Sequence, residues 1–124
     1  MNKKRPKYLD LTRIRLPLPA LVSILHRISG LLLFLALPLL LLLLQYSLRS
    51  IETYTQLAVV LQHPFSKLLL LVVLWAFLHH FCAGIRYLAI DLDWGVGLAQ
   101  ARASSKWVLA VSLTLTVLLG VRLW

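Results

Sequence analysis

From about Leu21 to Leu48 the chain is almost unbroken apolar sequence, and two similar runs follow, about Pro64 to Ile90 and about Ser105 to Trp124. Each comes close to the ~20 residues that carry an α-helix across the hydrocarbon core of a bilayer. The pattern therefore predicts three membrane-spanning helices, near 21–48, 64–90 and 105–124, with residues 1–20 as an N-terminal segment and 21–124 as a membrane anchor domain. Three spans leave almost nothing over for a soluble domain. The expected fold class is an all-α membrane protein whose three transmembrane helices form part of a heteromeric helix bundle.

Local signals agree with these runs. Pro17 and Pro19 set an extended entry to the first helix, Pro38 should kink it, and Pro64 suits the first turn of the second. Ser112, Thr116 and Gly120 recur at a spacing of four, a stripe of small residues along which another helix can approach closely. The first apolar run continues without the small-residue cleavage site of a secretory signal, so it is read as a mature helix. No Arg- and Ser-rich import segment precedes it. A bacterial inner membrane is the simplest home, with a mitochondrially encoded protein as the alternative.

Composition turns this pattern into a firm exclusion. Of 124 residues, 60% are hydrophobic and 14% charged, and the mean hydropathy is +0.86, too apolar for a soluble domain of this size. A net charge of +9 would suggest nucleic acid in a soluble protein, but here its distribution is a topology signal. Lys3, Lys4, Arg5, Lys7, Arg13 and Arg15 precede the first span, Arg49 and Lys67 are the main cations of the first loop, and Arg86, Arg102 and Lys106 cluster around the second. Positive charge favours the cytoplasmic side, so the N-terminus and second loop are expected inside and Trp124 on the opposite, periplasmic face. Cys82, the single cysteine, lies in an apolar segment and reads as a small packing residue. No zinc-type cysteine cluster, glycine-rich phosphate loop or nucleophile elbow is present.

Ionisable groups inside a span are costly, which makes them candidates for function. On the first helix Ser23, His26, Arg27 and Gly30 fall at i, i+3, i+4 and i+7, on one face. The plain alternative lets Arg27 snorkel to the headgroups with His26 beside it. On the second, His80, Gly84 and Tyr87 share a face, whereas His79 points about 100° away. A glycine one turn from a histidine removes a side chain where a flat macrocycle would lie, and imidazole is a common axial ligand of haem iron. The pattern favours His80 as a haem ligand and His79 as a structural residue. Haem propionates require cations near the interface, a duty that suits Arg27, His26 and Arg86.

With those residues in view, the chain resembles the cytochrome b subunit family of bacterial succinate dehydrogenase, the larger of two membrane anchors. The likeness runs nearly end to end, through R-P-K-Y-L-D-L at Arg5 to Leu11, R-L-P-L-P-A at Arg15 to Ala20, S-I-L-H-R-I-S-G at Ser23 to Gly30, and H-F-C-A-G-I-R-Y-L-A-I-D at His80 to Asp91. The resemblance implies a subunit of a succinate:quinone oxidoreductase of four chains, with succinate oxidised in a flavoprotein and electrons passed by an iron-sulfur subunit. FAD and iron-sulfur clusters belong to those partners, and no catalytic residue is expected in this chain alone. The resemblance further implies haem b shared with the second anchor subunit, His80 as its axial ligand and metal-binding residue, His26 and Arg27 near its propionates, and Gly84 as the place of close haem approach. Ser23 and Arg27 are implied to bind ubiquinone. Tyr87 stands where the family often has histidine. The alternatives are the anchor of a fumarate reductase and a cofactor-free structural subunit; neither reading involves nucleic acid.

Overall fold

A computed structural model describes residues 15–124. They form four helices, α1 (Leu18–Ser47), α2 (Ile51–Gln62), α3 (Pro64–Asp91) and α4 (Leu98–Leu123). Three of them, α1, α3 and α4, are long and apolar enough to cross a membrane. At 1.5 Å per residue, the 12 residues of α2 reach only about 18 Å, too short for a span. Residues 1–14, with most of the N-terminal basic cluster, lie outside the described residues.

Helix α1 begins from Pro17 in extended backbone, and Pro19 sits in its first turn, where an amide hydrogen has no partner to lose. Pro19 is thus helical rather than part of an extended entry. The helix runs through Pro38 to Ser47 as one element. Ser50 then starts α2 with a reciprocal cap: its hydroxyl accepts from the Thr53 amide, and the Thr53 hydroxyl accepts from the Ser50 amide. His63 ends α2 and caps α3, its Nδ1 accepting from the Phe65 amide at 3.2 Å. Between α3 and α4 the chain reverses through Asp93 (φ 60°) and Gly95 (φ 76°), both left-handed. Helix α4 starts at Leu98, two turns ahead of its apolar stretch.

Helix α3 is the middle of the bundle, packed on both α1 and α4. Its neighbours run antiparallel to it: His26, early in α1, meets His80 in the C-terminal half of α3, and Ser104, early in α4, meets Arg86, while Gly120, late in α4, meets Leu71 in the N-terminal half of α3. The α4 stripe extends beyond the expected three residues, with Ser105, Val108, Ser112, Thr116 and Gly120 all buried. The hydroxyls of Ser105, Ser112 and Thr116 donate to carbonyls of their own helix. Their polarity is thereby satisfied locally, and the helices can close up. A Cβ at Gly120 would lie 2.8 Å from the end of the Leu71 side chain, so a larger residue would push that methyl aside.

The apolar core is small. Val22, Ala76, Leu78, Ala83 and Val108 are buried, while most leucines of α1 face outward. This is the arrangement of a chain whose surroundings are lipid and other helices rather than water.

Candidate functional site

The sequence-predicted residues of α1 and α3 meet on the seam between these helices. The His26 and His80 rings stack face to face, with centroids 4.1 Å apart and planes 9° from parallel. The His80 Nδ1 lies 3.0 Å from the His26 carbonyl oxygen. A carbonyl only accepts, so Nδ1 is the donor in this contact, and in the neutral tautomer that matches it Nε2 has the lone pair. The Ser29 hydroxyl donates to the same carbonyl at 2.9 Å and lies 3.3 Å from Nδ1. His80 is half-buried. Along the axis it stands about 16 Å from the end of α3 at Asp91, near the middle of that helix.

Two glycines make the contact possible, in unequal degree. A Cβ at Gly30 would come within 2.9 Å of His80 Cε1 and 3.3 Å of its Nδ1, so the His80 ring lies directly against the α1 backbone. At Gly84 a Cβ would meet His26 Nε2 at 3.9 Å, an ordinary contact. The tight approach therefore belongs to Gly30, and an alanine at Gly84 would meet α1 in ordinary contact. Tyr87 completes the group, its ring 5.1 Å from that of His26 at 58°.

Ser23 and Arg27 lie one turn apart on α1, Ser23 half-buried and Arg27 exposed. The histidine stack includes neither of them. Arg86 is 8% exposed; its Nε donates to Ser104 Oγ at 2.9 Å, and a second nitrogen lies 3.5 Å from the Ala101 carbonyl. Its guanidinium also stands 5.3 Å from the Tyr87 ring centre. Arg86 thus joins α3 to the start of α4, whereas its sequence suggested a partner for propionates.

His79 is fully buried beside Trp75, with ring centroids 5.2 Å apart. Neither of its ring nitrogens makes a well-formed hydrogen bond within the described residues. A ring with no accessible surface cannot face a group bound at the outside of the bundle. His80 differs in this respect from its neighbour, and it is the one whose tautomer is set by a backbone carbonyl.

Sequence reasoning placed Gly30 on the right face but not under His80, and it assigned no task to Ser29. The S-G pair after H-R was the available signal, since small residues one turn beyond a polar pair admit a large side chain from another helix.

The family profile of the succinate dehydrogenase/fumarate reductase transmembrane subunit matches residues 1–119. A protein of Coxiella burnetii named succinate dehydrogenase cytochrome b556 subunit is 43% identical over the whole of both chains. Proteins of the same name from Rickettsia felis and Paracoccus denitrificans are 33% and 32% identical, over 95% and 92% of this chain and 92% and 88% of theirs. A match of this extent, joined to three apolar helices and a histidine pair on their seam, assigns the chain to the succinate dehydrogenase/fumarate reductase transmembrane subunit family.

Proposed function

We propose that this chain is the larger membrane-anchor and electron-transfer subunit of a succinate dehydrogenase, that it binds haem b through His80, and that it contributes Ser23 and Arg27 to the site where ubiquinone is reduced. The observation that carries the haem assignment is the His80 Nδ1 contact with the His26 carbonyl at 3.0 Å. A ligating histidine characteristically donates its other ring N–H to a carbonyl or carboxylate, which fixes the tautomer and makes the ligating nitrogen more basic. Half-buried His80, its ring laid against Gly30, has the donor chemistry that haem iron requires. When bound, the haem supplies one-electron transfer.

The tasks of the chain follow from its own groups. The His80 Nε2 lone pair would hold the haem iron, and the haem would be shared with the other anchor subunit. Gly84, lacking a side chain on the same helix one turn away, keeps bulk from the approach to His80. His26 and the exposed Arg27 lie toward the α1 N-terminus, where propionates of a macrocycle at His80 would emerge and a guanidinium can hold a carboxylate with two hydrogen bonds. For quinone, Ser23 offers a hydroxyl donor and Arg27 a positive charge about 6 Å farther along α1. Both favour the charge that gathers on quinone oxygens during reduction. The N-terminus and the α3–α4 turn face the cytoplasm, where an iron-sulfur subunit docks and protons are available, and succinate is oxidised in the flavoprotein.

The test uses the assembled complex purified from membranes. Ser23→Ala and Arg27→Leu should leave succinate oxidation by a soluble dye nearly intact while lowering quinone reduction by tens- to hundreds-fold, roughly the loss of one donor to developing charge. Arg27→Leu should be the more severe. Wild-type quinone rates in both assembled variants would place the quinone site elsewhere.

A further inference from the structure

The imidazole plane of His80 is held on three sides. The torsion that turns a histidine ring about its Cβ–Cγ bond has broad wells, so a hydrogen bond at one nitrogen leaves considerable freedom. Here Nδ1 is tied to the His26 carbonyl at 3.0 Å, and the Cε1 edge rests on Gly30, where even a methyl group would stand only 2.9 Å away. The third restraint is the His26 ring itself, 4.1 Å from the His80 ring and 9° from parallel.

His26 in turn has a neighbour of its own. The Tyr87 ring stands 5.1 Å from it, tilted by 58°, and the Arg86 guanidinium stands 5.3 Å from the Tyr87 ring. Arg86 is fastened to Ser104 of α4. The row His80, His26, Tyr87, Arg86 therefore connects the ring plane near the middle of α3 to the joint between α3 and α4.

We propose that the His26 ring sets the plane of the His80 imidazole, so that His26 is a positioning residue for the haem ligand in addition to any contact it makes with propionates. The proposal rests on His80 being that ligand. The consequence is electronic as well as steric. In low-spin ferric haem, the splitting of the iron dπ orbitals depends on the relative orientation of the two axial ring planes, and the largest g value reports that splitting. A ligand ring held in one plane gives one narrow signal; a ring free to turn gives a shifted or broadened one.

The experiment is low-temperature electron paramagnetic resonance of the oxidised, purified complex, with haem content measured in parallel as the pyridine haemochrome. His26→Ala keeps the carbonyl but removes the stacked ring, and its largest g value should shift or broaden beyond the wild-type linewidth. His26→Phe restores a flat ring without nitrogens and should return the signal to the wild-type position. If His26→Ala loses haem altogether while His26→Phe binds it with a wild-type signal, the ring's placing role stands. An unmoved signal in haem-loaded His26→Ala, a phenylalanine variant that behaves like alanine, or haem loss in both would overturn it. His80→Leu separates the two levels: persistence of the low-spin signal there refutes His80 as ligand, whereas its loss beside an unmoved His26→Ala signal refutes only the role of the stack.

Discussion

At the scale of single residues, the site depends on what a glycine lacks. A Cβ at Gly30 would stand 2.9 Å from His80 Cε1, and the ring cannot swing away without releasing its bond to the His26 carbonyl. Gly30→Ala is therefore expected to lose most of its haem or to change its absorption bands, and Gly30→Val to bind none, as measured by the pyridine haemochrome on assembled complex. At Gly84 the same methyl would meet His26 at an ordinary 3.9 Å, so haem loss in Gly84→Ala would report on the cofactor's side of α3 rather than on α1. The sequence motif S-I-L-H-R-I-S-G marked the right turn of α1 because ionisable residues in an apolar run stand out. It could not show that Gly30 and the His26 carbonyl receive the ring of His80, 54 residues beyond His26. A backbone carbonyl leaves no trace in sequence, and a glycine does not name its neighbour.

At the scale of elements, the helices that hydropathy identifies are those that meet lipid, and the remainder follow other rules. Helix α2 is short, and Glu52, Thr53, Thr55, Gln56 and Gln62 lower its hydropathy, so it reads as loop. Yet Tyr54, Leu57, Ala58 and Leu61 recur at helical spacing, and Ser50 with Thr53 forms its cap. Ser50→Ala should destabilise α2 by about 1 kcal/mol. The check is faster amide hydrogen exchange across 51–62 in the purified complex, with haem unchanged. Likewise α4 begins at Leu98, where alanines alternate with Gln100, Arg102 and Ser104 and break the apolar run, and Arg86 bonds this part to α3 through Ser104. Ser104→Ala should lower the stability of the complex by about 0.5–1.5 kcal/mol, the range of hydrogen bonds between membrane helices. It is expected to reduce the thermal midpoint without removing haem. Were Arg86 instead devoted to propionates, Arg86→Gln would alter the haem midpoint potential and Ser104→Ala would leave stability unchanged.

At the scale of the whole molecule, outward-facing leucines surround a narrow seam of polar and small residues, so the proposed site lies where the chain's own helices meet and the apolar surface lies outside it. The antiparallel order of α1, α3 and α4 puts Arg15, Arg102 and Lys106 at one end and Arg49, Lys67 and Arg122 at the other. The N-terminal basic cluster in the sequence is what the proposed cytoplasmic placing of the first end rests on. A reporter active only in the periplasm should be on when fused after Trp124 and off when fused in the α3–α4 turn; the reverse would invert the topology. The most direct measurement on the central assignment is the reduced-minus-oxidised absorption spectrum of complex purified from His80→Leu and His79→Leu strains beside the wild type. His80→Leu should lose the low-spin haem b bands or change them strongly while His79→Leu retains them in position; normal bands in His80→Leu, or loss confined to His79→Leu, would contradict it.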